Sequence, residues 1–251
     1  MTPQVDLNAD LGEGSGHDDE LFELITSANI ATGFHAGDAG TMRVAVSAAH
    51  TQGVSIGAHP SLFDRKNFGR KEMEVTPEEV FDAVVYQLGV FQAIAERAGT
   101  RANHVKPHGA LYNMAARDEK LADAVARATA AVDSTLILFA PDRSDLARAG
   151  ESHGLQVVRE VFADRNYLAD GTLVPRGRAD ALLKDPEEAS SRVVRMLREG
   201  KVRSVDGVDV DLRAETICVH GDTEGAVQFA RALRSRLEKE GVRIRAPKSA
   251  R

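Results

Sequence analysis

Seven short segments of this chain alternate their residues with a period of two, and on most of them one face is polar or small while the other is apolar. In Val5–Asp10, Asp6, Asn8 and Asp10 share a face opposite Val5, Leu7 and Ala9. In Asn29–Phe34 the first set is Asn29, Ala31 and Gly33, continuing to His35, against Ile30, Thr32 and Phe34. Val54–His59 sets Ser55, Gly57 and His59 against Val54, Ile56 and Ala58. Asn103–His108 puts His104, Lys106 and His108 on one face, and Leu155–Phe162 carries Glu160. Thr216–His220 sets Thr216, Cys218, His220 and, beyond it, Asp222 against Ile217 and Val219. Only Thr135–Ala140 is apolar on both faces, which marks it as structural. A period of two is the signature of a strand.

Helical patterns separate most of these runs. Thr76-Pro77-Glu78-Glu79 is a capping box with proline at the first helical position, and Asp185-Pro186-Glu187-Glu188 repeats that chemistry. Alanine-rich helices are expected over 78–98, 118–131, 187–199 and 223–240. Strands alternating with helices predict a parallel sheet in an α/β protein. An open sheet covered on both sides needs strands that are apolar on both faces, which these are not. The pattern therefore predicts a single-domain, seven-stranded (β/α) barrel spanning 1–251, with apolar residues facing the helices and polar ones facing the axis. Residues 164–183 are expected to be a lid loop, and 202–212 a β-hairpin turning at Asp206-Gly207.

Bulk properties narrow the function. A net charge of −6 and a pI near 5.8 argue against nucleic-acid binding. Cys218 is the one cysteine, so no intrachain disulfide forms. The N-terminus lacks the basic and apolar regions of a secretory signal, and apolar runs such as "LILFA" are too short to span a bilayer. A cytoplasmic globular protein is the expectation.

Barrels of this kind place their chemistry at the C-terminal ends of the strands, and the candidates fall there. Asp10 and Glu13 follow the first run, as acid/base or metal groups or as caps of the next helix. His35 and Asp38 follow the second, His59 the third, Glu160, Asp164 and Arg165 the sixth, and His220 and Asp222 the seventh. Two imidazoles and a carboxylate make a common divalent-metal set, here Asp10, His35 and His59. The competing role for each histidine is that of a hydrogen-bonded core residue. Lys106 is either a partner for a substrate carboxylate, an acid/base group, or half of a structural ion pair with Glu160 or Asp10. The glycines of "GEGSG" are a weak anion-cradle signal, and no GxxxxGK[ST] motif occurs.

Seven motifs in order, "VDLNADLGEG", "ANIATGFHAGD", "GAHPS", "FGRKEM", "HVKPHGALYN", "EVFADRNYLADGTLVPR" and "CVHGD", resemble the LamB/YcsF lactam-utilization family, the A subunits of 5-oxoprolinase. The resemblance covers nearly the whole chain. It implies a barrel similar to the glycoside hydrolase/deacetylase barrels and a hydrolase that opens the lactam of 5-oxo-L-proline to L-glutamate with ATP. It also implies action with subunits B and C, with ATP handled mainly in that assembly, and leaves a divalent metal and a homo-oligomer open. Asp10, Lys106 and Glu160 are the expected catalytic residues. Asn8, Glu13, His35, Asp38, His59, His108, Arg165, Arg176, His220 and Asp222 are the expected substrate-binding ones. Lys106 or Arg165 would meet the substrate carboxylate, Asp10 or Glu160 would direct water, and the loop bearing Tyr167 and Arg176 would close. Two other readings remain: a non-catalytic substrate-binding subunit, and a metal-dependent deacetylase or amidohydrolase on the same barrel.

Overall fold

The register of the sheet carries the parity of the sequence around a closed ring. The computed structural model describes residues 3–220 and 225–249, with the backbone alone for His220. The strands are β1 (Gln4–Leu11), β2 (Ser27–Ala31), β3 (Ser55–His59), β4 (His104–Val105), β5 (Ile137–Pro141) and β6 (Gln156–Phe162). Then come β7 (Lys201–Arg203), β8 (Asp209–Asp211), β9 (Thr216–His220) and β10 (Arg243–Ile244). Among the described residues, seven parallel strands close in the order β1-β2-β3-β4-β5-β6-β9, with β9 back on β1. Asp10 lies opposite Asn29, Asn29 opposite Gly57, and Gly57 opposite His104. On the other side Asn8 faces Cys218, Asp6 faces Thr216, and Thr216 faces Glu160. The seven-stranded barrel expected from parity is the fold.

The helices that wrap it are α1 (Asp18–Phe22), α2 (Ala39–Gln52), α3 (Pro77–Arg97), α4 (Gly109–Ala115), α5 (Glu119–Val132), α6 (Asp145–Ser152), α7 (Pro186–Glu199) and α8 (Ala226–Lys239). In α3 the Thr76 hydroxyl accepts from Glu79 N–H while Glu79 accepts from Thr76 N–H, the reciprocal box read in the sequence. Its buried stripe, Val80, Val84, Leu88, Phe91 and Ala95, keeps the helical three-or-four spacing. Each large side chain of that stripe contributes roughly 1.5–3 kcal/mol by leaving water. The outward faces of β1 to β3 (Val5, Leu7, Ala9, Ile30, Ile56) belong to the same apolar layer. Among the described residues no helix is long and apolar enough to cross a membrane.

Three strands differ from their sequence bounds by two or more residues at an end, the first two for a local reason. The second run starts at Ser27 and stops at Ala31, because Gly33 takes φ 98° and turns the chain. His35 thus reaches the site from a loop. The fourth run is regular over two residues only, since Pro107 has no N–H and Gly109, at φ 53°, opens α4. Lys106 and His108 still donate their N–H groups to Ala58 and Pro60 at 3.1 and 2.8 Å, which keeps both beside β3. The fifth run starts at Ile137 and ends at Pro141. The edge strand β10, pairing with Gln4 and Val5, had no sequence signal among the seven runs.

The barrel interior is filled in layers. Ile137, Phe139 and Val158 form a small apolar cluster separate from the outer core. The His104 ring stacks on Phe139 at 4.3 Å and its Nε2 donates to Asn29 Oδ1 at 2.8 Å. Burial drives the His104 pKa down to about 3, so the ring is a neutral core residue. At the N-terminal end Asp6 accepts from the hydroxyls of Thr26 (2.6 Å), Ser27 (2.8 Å) and Thr216 (2.6 Å).

Those three bonds do not offset the burial of Asp6, whose pKa rises to about 6. A carboxyl with a raised folded pKa stabilises the fold fully below its unfolded value near 3.8, and that stability is lost as the pH climbs through about 6. Keeping the charge above that point costs up to about 3 kcal/mol. Asp6→Asn is therefore expected to raise the melting temperature at pH 7.5 and to have progressively less effect towards pH 4. Thermal unfolding of both proteins across that range tests it, and a difference independent of pH would refute the account.

The stretch 164–183 is ordered by its own pairings. Arg165 bridges Leu182 and Tyr167 bridges Leu173 in antiparallel fashion. Arg192 of α7 grips it from behind, donating to the carbonyls of Ala163 and Arg165 at 2.7 Å. The hairpin β7–β8 supports its tip, with Val205 N–H on Tyr167 O at 2.9 Å.

Candidate active site

A cavity of about 660 Å³ opens at the C-terminal rim, between the strand ends and the 164–183 segment. Its floor is the upper layer of the lumen. Lys106 extends from beyond β4 to the axis, where Nζ lies 2.9 Å from Asp10 Oδ1, 3.0 Å from Glu160 Oε1 and 3.0 Å from Cys218 Sγ. Asn8 ties the same groups together, giving its amide protons to Glu160 Oε1 and Thr216 Oγ1 and its carbonyl to Asn29. Asn29 also donates to Asp10 Oδ1 at 2.8 Å. Burial alone would strip the proton from Lys106, but Asp10, the Cys218 sulfur and Glu160 outweigh it and hold the pKa well above the usual lysine value. Of the roles open to Lys106 in the sequence, the structural ion pair is realised, and with both carboxylates. Cys218 is buried, which pushes its thiol pKa up and keeps it protonated.

Beside this triad stand the histidines. His59 Nδ1 is 2.7 Å from Lys106 O, so that nitrogen carries the proton. His108 Nε2 is 2.9 Å from Phe68 O, so there the far nitrogen carries it. The remaining nitrogens, His59 Nε2 and His108 Nδ1, face each other at 2.9 Å. Glu13 Oε1 lies 3.5 Å from His108 Nδ1 and 2.9 Å from His35 Nε2. Burial, followed by the neighbouring histidines, lowers the pKa of His108 far below its usual value, and His35 is lowered in the same way. Glu13, His35, His59 and His108 bring four donor atoms within 4.8 Å of one another, a set able to hold a metal ion. Asp10 is outside that group, with Oδ2 3.3 Å from His59 Nε2 and Oδ1 on Lys106.

The cavity wall carries both arginines and carboxylates, among them Arg70, Arg165 and Arg176 with Glu72, Asp142 and Asp170. Arg165 is buried, donates to Val174 O at 2.7 Å and leaves Nε without a partner. Burial, and next to it the positive charge of Arg176, lowers its pKa to about 10. Arg70 and Arg176 line the same space. Tyr112, on α4, is buried beside Glu160, and burial raises its phenol well above the usual value.

Of the residues expected from sequence, Asn8, Asp10, Glu13, His35, His59, Lys106, His108, Glu160, Arg165 and Arg176 converge here. Asp38 does not. It caps α2, accepting from Thr41 N–H at 2.8 Å, so its role is structural. Asp222 and the His220 side chain lie outside the described residues. In the glycine-rich loop the Gly12 N–H is taken by Asp18 Oδ2 at 2.8 Å, and the helix that follows has one turn.

Sequence reasoning passed over Phe68, Gly69, Asn29 and Tyr112 as site residues. Phe68 holds a left-handed backbone (φ 56°), a strained choice for a side chain of that size. That turn aims its carbonyl at His108 and its ring at both His35 and His108. The hints were the glycine after it in "NFGR" and its place in the family motif "FGRKEM".

The LamB/YcsF family model matches residues 5–251. The chain belongs to the LamB/YcsF family. A relative from Bacillus licheniformis, by name a 5-oxoprolinase A subunit, is 52% identical over 97% of this chain and 98% of its own. Among solved structures, the lactam utilization protein of Thermus thermophilus superposes with a TM-score of 0.91 at 45% identity, covering 97% of this chain and all of that one. A deacetylase solved with its substrate matches at a TM-score of 0.52 and 14% identity over 97% of this chain and 87% of that one. That likeness shows a shared barrel, as expected for the LamB/YcsF chain.

Proposed function

We propose that this chain is the lactam-opening subunit of an ATP-dependent 5-oxoprolinase, acting with subunits B and C to convert 5-oxo-L-proline to L-glutamate. The observation that carries the reading is an acid/base pair, Asp10 and Glu160, pinned by one ammonium under a cavity whose wall carries arginines. Relatives of the same family that match over nearly their full length and are named as 5-oxoprolinase A subunits support it.

A five-membered lactam is an unstrained amide that needs activation. Its carbonyl oxygen takes the γ-phosphoryl group of ATP with release of ADP, and water adds to the carbonyl carbon. The C–N bond breaks as the ring nitrogen takes a proton, and a second water frees phosphate from the acyl phosphate. Lys106 already spends its protons on Asp10, Glu160 and Cys218, so Arg165 and Arg176 are the better partners for the substrate carboxylate. Glu160 is the better candidate to direct water, because it lines the cavity beside the Tyr112 phenol, whereas Asp10 faces Lys106, Asn29 and His59. Lys106 holds Glu160 in place and offsets its charge until it takes a proton. The 164–183 segment excludes bulk water. The reading also assigns a divalent cation to the Glu–His cluster, where it would offset negative charge on the phosphoryl oxygens of the activated lactam.

Glutamate release in a mixture of the three subunits with ATP and 5-oxoproline tests this. Release is expected to require both this chain and ATP. Full release without the chain would overturn the proposal. A second reading, a stand-alone metal-dependent amidohydrolase, is favoured by the Glu–His cluster. Turnover by this chain alone without ATP would decide for it.

A further inference from the structure

The four clustered donors are not equivalent. His35 and His108 lie face to face, with ring centroids 3.8 Å apart and 5° between their planes. An imidazole lone pair lies in the plane of its ring, and a metal–nitrogen bond is about 2.0–2.1 Å long. A cation in the plane of one of these rings therefore stands well out of the plane of the other, so only one of the pair can bind it. The hydrogen bonds say which. His108 is fixed by Phe68 O as the tautomer whose Nδ1 is a lone pair, and His59 is fixed by Lys106 O with its lone pair on Nε2. Two lone pairs 2.9 Å apart, with Glu13 Oε1 3.5 Å from one and 3.9 Å from the other and Asp10 Oδ2 3.3 Å from His59 Nε2, repel unless a proton or a metal cation lies between them. His35 instead has Nε2 on Glu13 Oε1 at 2.9 Å, the contact of a donor with a carboxylate, and its Nδ1 has no partner to hold the opposite tautomer.

We propose that Glu13, His59 and His108 bind one borderline divalent cation of the zinc type, and that His35 orients Glu13 without binding the metal. With bonds of about 2.1 Å, the donor–donor edges of an octahedral or tetrahedral site are about 3.0 or 3.4 Å. The distances of 2.9, 3.5 and 3.9 Å bracket those edges, so binding needs shifts of a few tenths of an ångström. Two imidazoles and one carboxylate favour zinc-like ions over magnesium, and three protein ligands leave a position open toward the cavity that His59 and His108 line. Lys106 contributes from behind, because its carbonyl sets the His59 tautomer. The assignment shares the site with the proposed ring opening, but its test needs neither lactam nor partner subunits.

The purified chain, stripped with a chelator, is titrated with zinc against a chromophoric competitor, and melting temperature is followed with zinc and with magnesium. One zinc per chain with a raised melting temperature is expected, and no comparable response to magnesium. His59→Ala and His108→Gln are expected to lose zinc binding while remaining folded by circular dichroism. His35→Ala is expected to weaken it by about 10–100-fold, as for a residue that supports a ligand. Zinc binding unchanged in His59→Ala and His108→Gln would overturn the site. Loss in His35→Ala equal to that in His108→Gln would overturn the division of roles, and either result leaves the lactam reading to its own assay.

Discussion

Lys106→Met is expected to lower glutamate release by the three-subunit system by at least about 10²–10³-fold, the range for removing one preorganised electrostatic group. It is also expected to destabilise the barrel. The ammonium is the shared counter-ion of Asp10 and Glu160, and it is 3% exposed. Methionine fills the volume but leaves two carboxylates turned toward one dry point. Breaking a buried pair in this way costs about 3–5 kcal/mol, because the stranded charge loses its partner without regaining water. The pH dependence has a definite sign. Without Lys106, burial and mutual repulsion both disfavour two ionised carboxylates at one point. Their penalty is absent at low pH and grows as the pH rises, so the melting-temperature deficit should be larger at pH 8 than at pH 5. Lys106→Arg keeps the charge but not the fit of a point donor, and should recover stability better than activity. Near-wild-type turnover in Lys106→Met would remove the residue from the chemistry. A wild-type melting temperature would show that the ion pairs add no net stability.

The barrel was legible because its cause is written residue by residue. Asp6, Asn8 and Asp10 alternate with Val5, Leu7 and Ala9 in a segment whose neighbours are also one-faced, and a closed sheet is the way to bury both sets. The helix caps at Thr76 and Asp185 were equally local, since a cap needs only residues within one turn. What parity could not reach is whatever a loop delivers. His35 belongs to the site, but the strand it was counted on ends at Ala31, and its position is set by the turn at Gly33. Asp38 has the composition of a site residue and the role of a cap, a distinction made by its reciprocal capping box with Thr41 rather than by its type. Asn29 enters because His104, 75 positions further on, meets it in the lumen, as Glu160 meets Asn8 across 152 positions. Tyr112 enters through Glu160 in the same way. No window of sequence contains such a meeting.

The sharpest case is the loop that carries Phe68, and Gly69→Ala is the change expected to show it. Gly69 has φ 64°, a conformation that costs an alanine roughly 1 kcal/mol. A Cβ there would also overlap Ser61 Oγ and come within 2.8 Å of His35 Cβ and 2.9 Å of His108 Cδ2. Ser61 is fully buried, the His35 ring is stacked on His108, and His108 is tied to Phe68 O, so no flexible chain end is available to yield. Overpacking of this kind adds about 1–3 kcal/mol. The two terms sum to a few kcal/mol, tolerable for a barrel of this size, so the protein should fold with a lowered melting temperature. The damage should concentrate on the histidines. Gly69 O accepts from Ala110 N–H at 2.8 Å at the start of α4, so moving the loop moves His108 as well as the Phe68 carbonyl that fixes its tautomer. Activity in the three-subunit assay should fall by far more than the stability loss accounts for at a temperature where the variant is fully folded. Gly14→Ala is the matched control, because it has the same positive φ (83°) with nothing within 4 Å of the added Cβ. Equal losses in the two variants would mean that backbone strain alone is responsible and that the close packing at Gly69 does not set the histidine geometry.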